Sequence, residues 1–195
     1  MGFVDVFALG IGAAIAAMYV KTKGQDVTFV KSSYDGDTYL VRQAGDALEA
    51  ANTLARLNEC VGVLMAHLEL RYPTDERVLL LKGRYNKDAL SEGAHNSGYT
   101  SYSVDKGKSI IMCLRSRDVG GTHGRIEKIN TLTYVLLHEL AHLATDEVGH
   151  TPVFWANFDF IKREAVAAGV YDEVDYAKQP AGYCGMVIGN TKKAP

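Results

Sequence analysis

NTLTYVLLHELAHLATDEVGHTPVFW, residues 130–155, decides how this chain is read. His138 and His142 lie four positions apart, so on a helix they stand one above the other and can address one metal ion. Glu139 sits about 100° round the helix from His138, close enough to reach a water on that ion. Leu136, Leu140 and Leu143 fall on the opposite side and tie the helix to a core. The pattern predicts helices over 131–145 and 152–168, with Asn130 or Thr131 as N-cap of the first. Gly149 can end that helix and reverse the chain, Thr151 can cap the second, and Pro152 suits its first turn. His150 therefore falls at the elbow, able to swing back to the metal.

A bare H-E-x-x-H pattern also describes a surface helix with two histidines and a glutamate. Here the cluster is embedded in leucines, where it would be costly to bury without a ligand. Three protein ligands plus a water make the open coordination of a catalytic zinc. The expected site is one zinc per chain on His138, His142 and His150, with Glu139 as general base. Other candidates for the third place are Asp146, Glu147 and His123; Asp146, four positions after His142, suits an outer partner better. Such a site lowers the pKa of its water toward about 7. The oxyanion that follows needs a further donor, for which Tyr183, Tyr176 and Arg115 are candidates.

HELAH (138–142) followed by GHTPVFW (149–155) resembles the WLM and SprT-like families of zinc peptidases. Their pattern is H-E-x-x-H, a short connection, a third His and an aromatic-rich helix. The run from Met112 to Trp155 also resembles small metallopeptidases encoded by large DNA viruses and some protists. The resemblance spans residues 100–185, and only the zinc motif within it is specific. It implies a zincin-like fold, the three histidines as ligands and Glu139 as base. The step of eight positions from His142 to His150 is longer than WLM members use. Protein–DNA crosslinks are not carried over as substrates, because the DNA- or ubiquitin-family-binding extensions of many relatives have no counterpart in this sequence.

Outward from the motif, residues 27–31 and 38–42 read as short strands around the turn Tyr34-Asp35-Gly36-Asp37. From Asp46 to Leu70 apolar residues recur at helical spacing, predicting one long amphipathic helix ended by Tyr72-Pro73. A shorter helix is expected over 74–85 and a loop over 86–100. A hairpin follows, with strands Thr100–Val104 and Ser109–Leu114 around the turn 105–107. Its second strand has two readings: a core strand, or an edge above the metal that pairs with extended substrate. In the latter, Ile110, Ile111 and Met112 anchor the peptide, with Arg115 and Arg117 at the rim. A glycine-rich loop (Gly120, Gly121, Gly124) and a mostly irregular tail from Tyr171 complete the chain. The expected class is α+β: a small, mostly antiparallel sheet packed on a long helix and the two zinc-site helices.

The first residues behave differently. Phe3 to Val20 form an eighteen-residue run with Asp5 as its one charge, about the minimum for crossing a ~30 Å hydrocarbon core. Lys21 and Lys23 follow, and no Lys or Arg precedes them, which disfavours a cleaved signal peptide. The charge bias predicts an anchor over 1–23 and a peptidase domain, 24–195, on the cytoplasmic side of a membrane. A buried or interfacial helix is the alternative.

The composition of the 195 residues, 47% apolar and 23% charged, is that of a chain able to bury a core. A net charge of −2 gives no pull toward nucleic acid. The cluster Lys106, Lys108, Arg115, Arg117 with Tyr99 and Tyr102 is too small to change that. Cys60, Cys113 and Cys184, odd in number and widely spaced, argue against a disulfide scaffold and for a reducing compartment. Cys184 reads as a small buried hydrophobe, or else as an inhibitory fourth ligand or redox sensor.

The expected activity is peptide-bond hydrolysis by a membrane-tethered zinc peptidase acting on protein or peptide. One alternative is a zinc amidohydrolase with a non-protein substrate. Another is a membrane-bound adaptor whose metal is structural, against which Glu139 counts. An open groove with a free strand edge favours protein as substrate; a closed pocket favours a small molecule.

Overall fold

The computed structural model describes residues 26–94, 100–117 and 123–189. Four helices lie among them: α1 (Ala47–Arg71), α2 (Glu76–Arg84), α3 (Ile129–Leu143) and α4 (Pro152–Ala167). Nine short strands accompany them: β1 (Val27–Lys31), β2 (Thr38–Arg42), β3 (Leu90–Glu92), β4 (Tyr102–Val104), β5 (Ser109–Met112), β6 (Arg115–Arg117), β7 (His123–Ile126), β8 (Ala181–Tyr183) and β9 (Met186–Ile188). The class is α+β, and all pairings are antiparallel except β3 with β5.

α1 forms because its apolar residues return every third or fourth position. Leu54, Leu57, Val61, Leu64 and Leu68 make one buried stripe, although Leu48, expected on that stripe, is exposed. α3 lays Leu132, Leu136, Leu140 and Leu143 against that stripe, and α4 adds Phe154, Phe158 and Ile161. The buried carboxylate of Glu164 on α4 fixes the pairing with α1, accepting hydrogen bonds at 3.0 Å from Tyr72 and 3.0 Å from His67.

Three expected irregular regions contain strands. Residues 90–92 form β3, which lies parallel to β5, with Leu90 beside Ile110 and Glu92 beside Met112. The glycine-rich region supplies β7 to a hairpin with β6, and the tail supplies the β8–β9 hairpin. Each is three or four residues long, too short to show periodicity.

β5 lies in the middle of the sheet β3-β5-β4. Ile110 and Met112 are fully buried. These two residues, with Ile111 between them, therefore belong to a core strand and offer no edge to a substrate. Among the described residues β4 is an outer strand of that sheet.

The cysteines also depart from expectation. Cys113 and Cys184 are joined in a disulfide, with Cα atoms 6.3 Å apart, tying the end of β5 to the β8–β9 turn. Cys184 is buried within that link and is not a metal ligand. With two of the three cysteines paired, cysteine usage no longer points to a reducing compartment.

Arg115, expected at the rim, is the largest fully buried side chain among the described residues. It pairs with Glu92 on β3 and, at 2.6 Å, with Asp46 at the start of α1. Glu92 accepts a further hydrogen bond from the backbone N–H of Arg42 on β2 at 2.7 Å.

Membrane anchoring, and with it a domain held at the cytoplasmic face, is not supported. Among the described residues no helix is long and apolar enough to cross a membrane. Even α1, 25 residues long, carries Glu49, Arg56, Glu59, Glu69 and Arg71 and is amphipathic. The segment 3–20 lies outside the described residues.

Candidate metal centre

α3 brings His138 and His142 to one side, their ring centroids 5.1 Å apart. After α3 the chain turns through Gly149, whose φ of 88° favours glycine, and returns His150. The Thr151 hydroxyl then accepts from the Phe154 N–H at 3.2 Å and starts α4, as its sequence implies. The expected cap of α3 is different: Lys128 holds the N-cap position, and the Asn130 side chain instead exchanges two hydrogen bonds with the backbone of Asp172.

One nitrogen of each of His138, His142 and His150 lies within 4.8 Å of the others, so these residues could hold a metal ion. The Nε2 atoms of His138 and His150 are 3.0 Å apart. Zinc–nitrogen bonds of 2.0–2.1 Å at tetrahedral angles set such atoms about 3.3 Å apart, so the geometry fits. Charge also fits. Burial, then the neighbouring His142 and His150, push His138 down to about 3. Burial, His150 and Lys106 bring His142 to about 4. Both rings are therefore held in the neutral form that ligates metal.

Phe154, fully buried on α4, forms a floor beneath the three imidazoles, its ring 4.3 Å from that of His142, 4.8 Å from His150 and 4.9 Å from His138. Trp155 stacks on His150. The aromatic pair after the third histidine was the available sequence signal for this platform.

The cleft above the histidines has a volume of about 570 Å³, and its walls include Glu139, Ser101, Tyr102, Ser103, Lys106 and Glu147. Glu139 is 4% exposed. Burial pushes its carboxyl up to about 7, partly offset by hydrogen bonds from the side chain and backbone of Ser103 on β4. Nothing in the local sequence marks Ser103 as its partner. A larger hollow, about 730 Å³, opens by α1 near Tyr34 and Tyr85, but none of the three histidines lines it.

The raised carboxyl has a consequence for stability. Folding lifts the Glu139 pKa from 4.5 to about 7, so the native state holds its proton more tightly. This contribution to stability is complete below pH 4.5 and is lost as pH rises through 7. At about 1.4 kcal/mol per pH unit, the loss approaches about 3 kcal/mol. In chelator-stripped protein, Glu139→Gln should therefore gain about 2–3 kcal/mol on the unaltered chain between pH 4.5 and pH 8. Urea unfolding at the two pH values measures this; an unchanged difference would mean that the carboxylate is solvated in the native state.

Other expected participants do not line the cleft. Tyr183, 2% exposed, stands behind its wall: its hydroxyl meets Ser101 Oγ at 2.5 Å, and burial and the nearby Glu139 raise its pKa. Tyr176 packs on Tyr134 with centroids 4.7 Å apart. Arg115 is in its buried ion pair. None of the three is among the residues lining the cleft. Asp146 is engaged by Arg84 at the surface, not by a histidine. His123 lies on β7, paired with Arg117.

No family model matches the chain, and no solved structure matches it. It is 36% identical over 184 residues to uncharacterized protein R325 of Acanthamoeba polyphaga mimivirus, covering 92% of this chain and 91% of that one. Protein 136R of Invertebrate iridescent virus 6 is 29% identical over 118 residues, which cover 58% of this chain and 65% of the relative. Protein 042R of Invertebrate iridescent virus 3 is 39% identical over 72 residues, 37% of this chain and 42% of the relative. With that identity sustained along nine-tenths of both sequences, this chain belongs to the family of mimivirus protein R325.

Proposed function

We propose that the chain is a zinc-dependent peptidase with a minimal zincin-like fold, its metal held by His138, His142 and His150. One observation carries the reading. Three imidazoles converge beside a buried carboxyl, that of Glu139, in one cleft walled by an outer strand of a sheet. When bound there, zinc supplies Lewis acidity toward a scissile carbonyl and an acidified water. Glu139 takes the proton of the attacking water on its carboxylate and returns it to the leaving amine. Ser103 steadies that carboxylate through its hydroxyl and N–H. The imidazoles keep their orientation because Phe154 closes off the space behind them.

A peptide substrate is favoured over a small amide. Among the described residues β4 has a strand partner on one side only, β5, and its Tyr102 and Ser103 line the cleft. An extended chain lying along this wall would meet Ser103, whose N–H serves Glu139, and so would run directly beside the base. A purely structural metal site has no use for a buried carboxyl beside it, which disfavours the adaptor.

The test is the zinc content of the full chain and its cleavage of casein, beside His150→Ala. The unaltered chain binds one zinc and cleaves. His150→Ala loses more zinc affinity than the roughly 10–100-fold expected for losing an outer partner. Normal affinity in that variant would remove His150 from the ligand set, and absence of zinc in the unaltered chain would end the proposal.

A further inference from the structure

The end of α3 exposes carbonyl groups that the helix itself cannot satisfy. Side chains from three other elements take them up. Arg84 of α2 donates to Leu143 O at 2.8 Å, and Asn157 of α4 donates to Ala144 O at 3.1 Å. Lys106 reaches further along the chain: its amine donates to Thr145 O at 2.6 Å and to Glu147 O at 2.8 Å, with His142 O at 3.5 Å. These carbonyls belong to the connection that carries His150. Lys106 itself stands in the turn between β4 and β5, so the grip runs from the cleft wall to the ligand connection.

The backbone at this turn is held in an unusual form. Asp105 has φ 46° and Lys106 φ 54°, left-handed conformations that residues with side chains adopt at some expense. Gly107 follows at φ 103°, where a Cβ would overlap the Arg84 carbonyl oxygen. A surface lysine would ordinarily keep its amine in water, whereas this one is aimed at backbone carbonyl oxygens. The strained turn thus sets the amine against three carbonyls, that of His142 itself and two in the connection from His142 to His150.

We infer that Lys106 is a positioning residue that fixes His150 on the metal by gripping the Thr145 and Glu147 carbonyls. The inference rests on the metal reading of the three histidines, and not on the reaction proposed for it. Neutralising or shortening the grip lets the connection move, and the third ligand then spends less time in place.

A double-mutant cycle on zinc affinity of the full chain tests this, with Lys106→Met, His150→Ala and their combination measured by chelator competition. Lys106→Met should weaken zinc binding by about 10–100-fold, the range for losing a group that orients a ligand. In the His150→Ala background the same change should do almost nothing, because the ligand it positions is gone. The absorption bands of bound cobalt should shift in Lys106→Met, and Lys106→Gln, which keeps a donor without the charge, should lose less affinity. If Lys106→Met fails to fold, the cycle is run with Lys106→Gln. Unchanged affinity and cobalt bands would overturn the inference, as would an equal loss in both backgrounds, the signature of simple helix capping. Zinc binding without casein cleavage would sink the peptidase reading and leave the result of this cycle untouched.

Discussion

In Glu139→Gln, peptide hydrolysis falls by about 10²–10⁴-fold, the range for removing a general base, while zinc content stays that of the unaltered chain. The amide keeps the shape of the carboxylate and its contacts with Ser103, so the fold and the three imidazoles are undisturbed. It cannot take a proton from water. The loss should lie in kcat more than in KM, since the base acts only as the bond forms. Measuring both constants and the metal content on one preparation separates loss of chemistry from loss of zinc. Activity above a tenth of normal with metal retained would place the base elsewhere, and loss of metal would make Glu139 a structural partner of the ligands.

Arg115→Met is expected to be the most damaging single change to stability. The side chain is 0% exposed and bonded to Asp46 and to Glu92, which is itself 3% exposed. Removing the cation leaves the Glu92 carboxylate buried with the Arg42 N–H as a remaining donor. Breaking one partner of a buried pair costs about 3–5 kcal/mol, a large part of the 5–15 kcal/mol that holds most domains together. Burial already raises the Glu92 pKa. Without Arg115 it rises further, so the penalty should shrink at acid pH as the carboxyl takes up a proton. Glu92→Gln added to Arg115→Met should recover much of the loss. Urea unfolding of the three chains at pH 5 and pH 8 reads all of this; a penalty under 1 kcal/mol would show that water reaches Glu92 in the variant.

Arg115 also shows where the sequence stops informing. It stands in Leu114-Arg115-Ser116-Arg117, which reads as a charged rim, because its partners Asp46 and Glu92 are 69 and 23 positions away. The Cys113–Cys184 link is hidden in the same way by a separation of 71. Patterns that repeat within one helix were legible: the stripe of α1, the leucine face of α3, and the Gly149-His150-Thr151-Pro152 elbow all follow from spacing and capping chemistry. β1 and β2 were legible too, as five-residue runs around a recognisable turn. β3, β6, β7, β8 and β9 were not: unlike the equally short β4 and β5, whose longer apolar surroundings flank a readable turn, they acquire strand character from a partner and not from themselves. At the site, the convergence of the three histidines was legible and the surroundings were not. Ser103, Lys106 and Phe154 gain their significance from elements that meet only in the folded chain.

The position of the three histidines within one short stretch bears on how the site comes into being. His138 and His150 are twelve positions apart. Closing so small a loop forfeits little chain entropy, so the chelating unit can assemble from neighbouring residues early and capture an ion before the sheets are complete. The carboxyl environment depends on β4, a strand from a distant part of the sequence. On the proposed reading, acquiring metal and acquiring a tuned base would then be separable events, and a chain that carries its ion would not yet, on that account, be a finished catalyst.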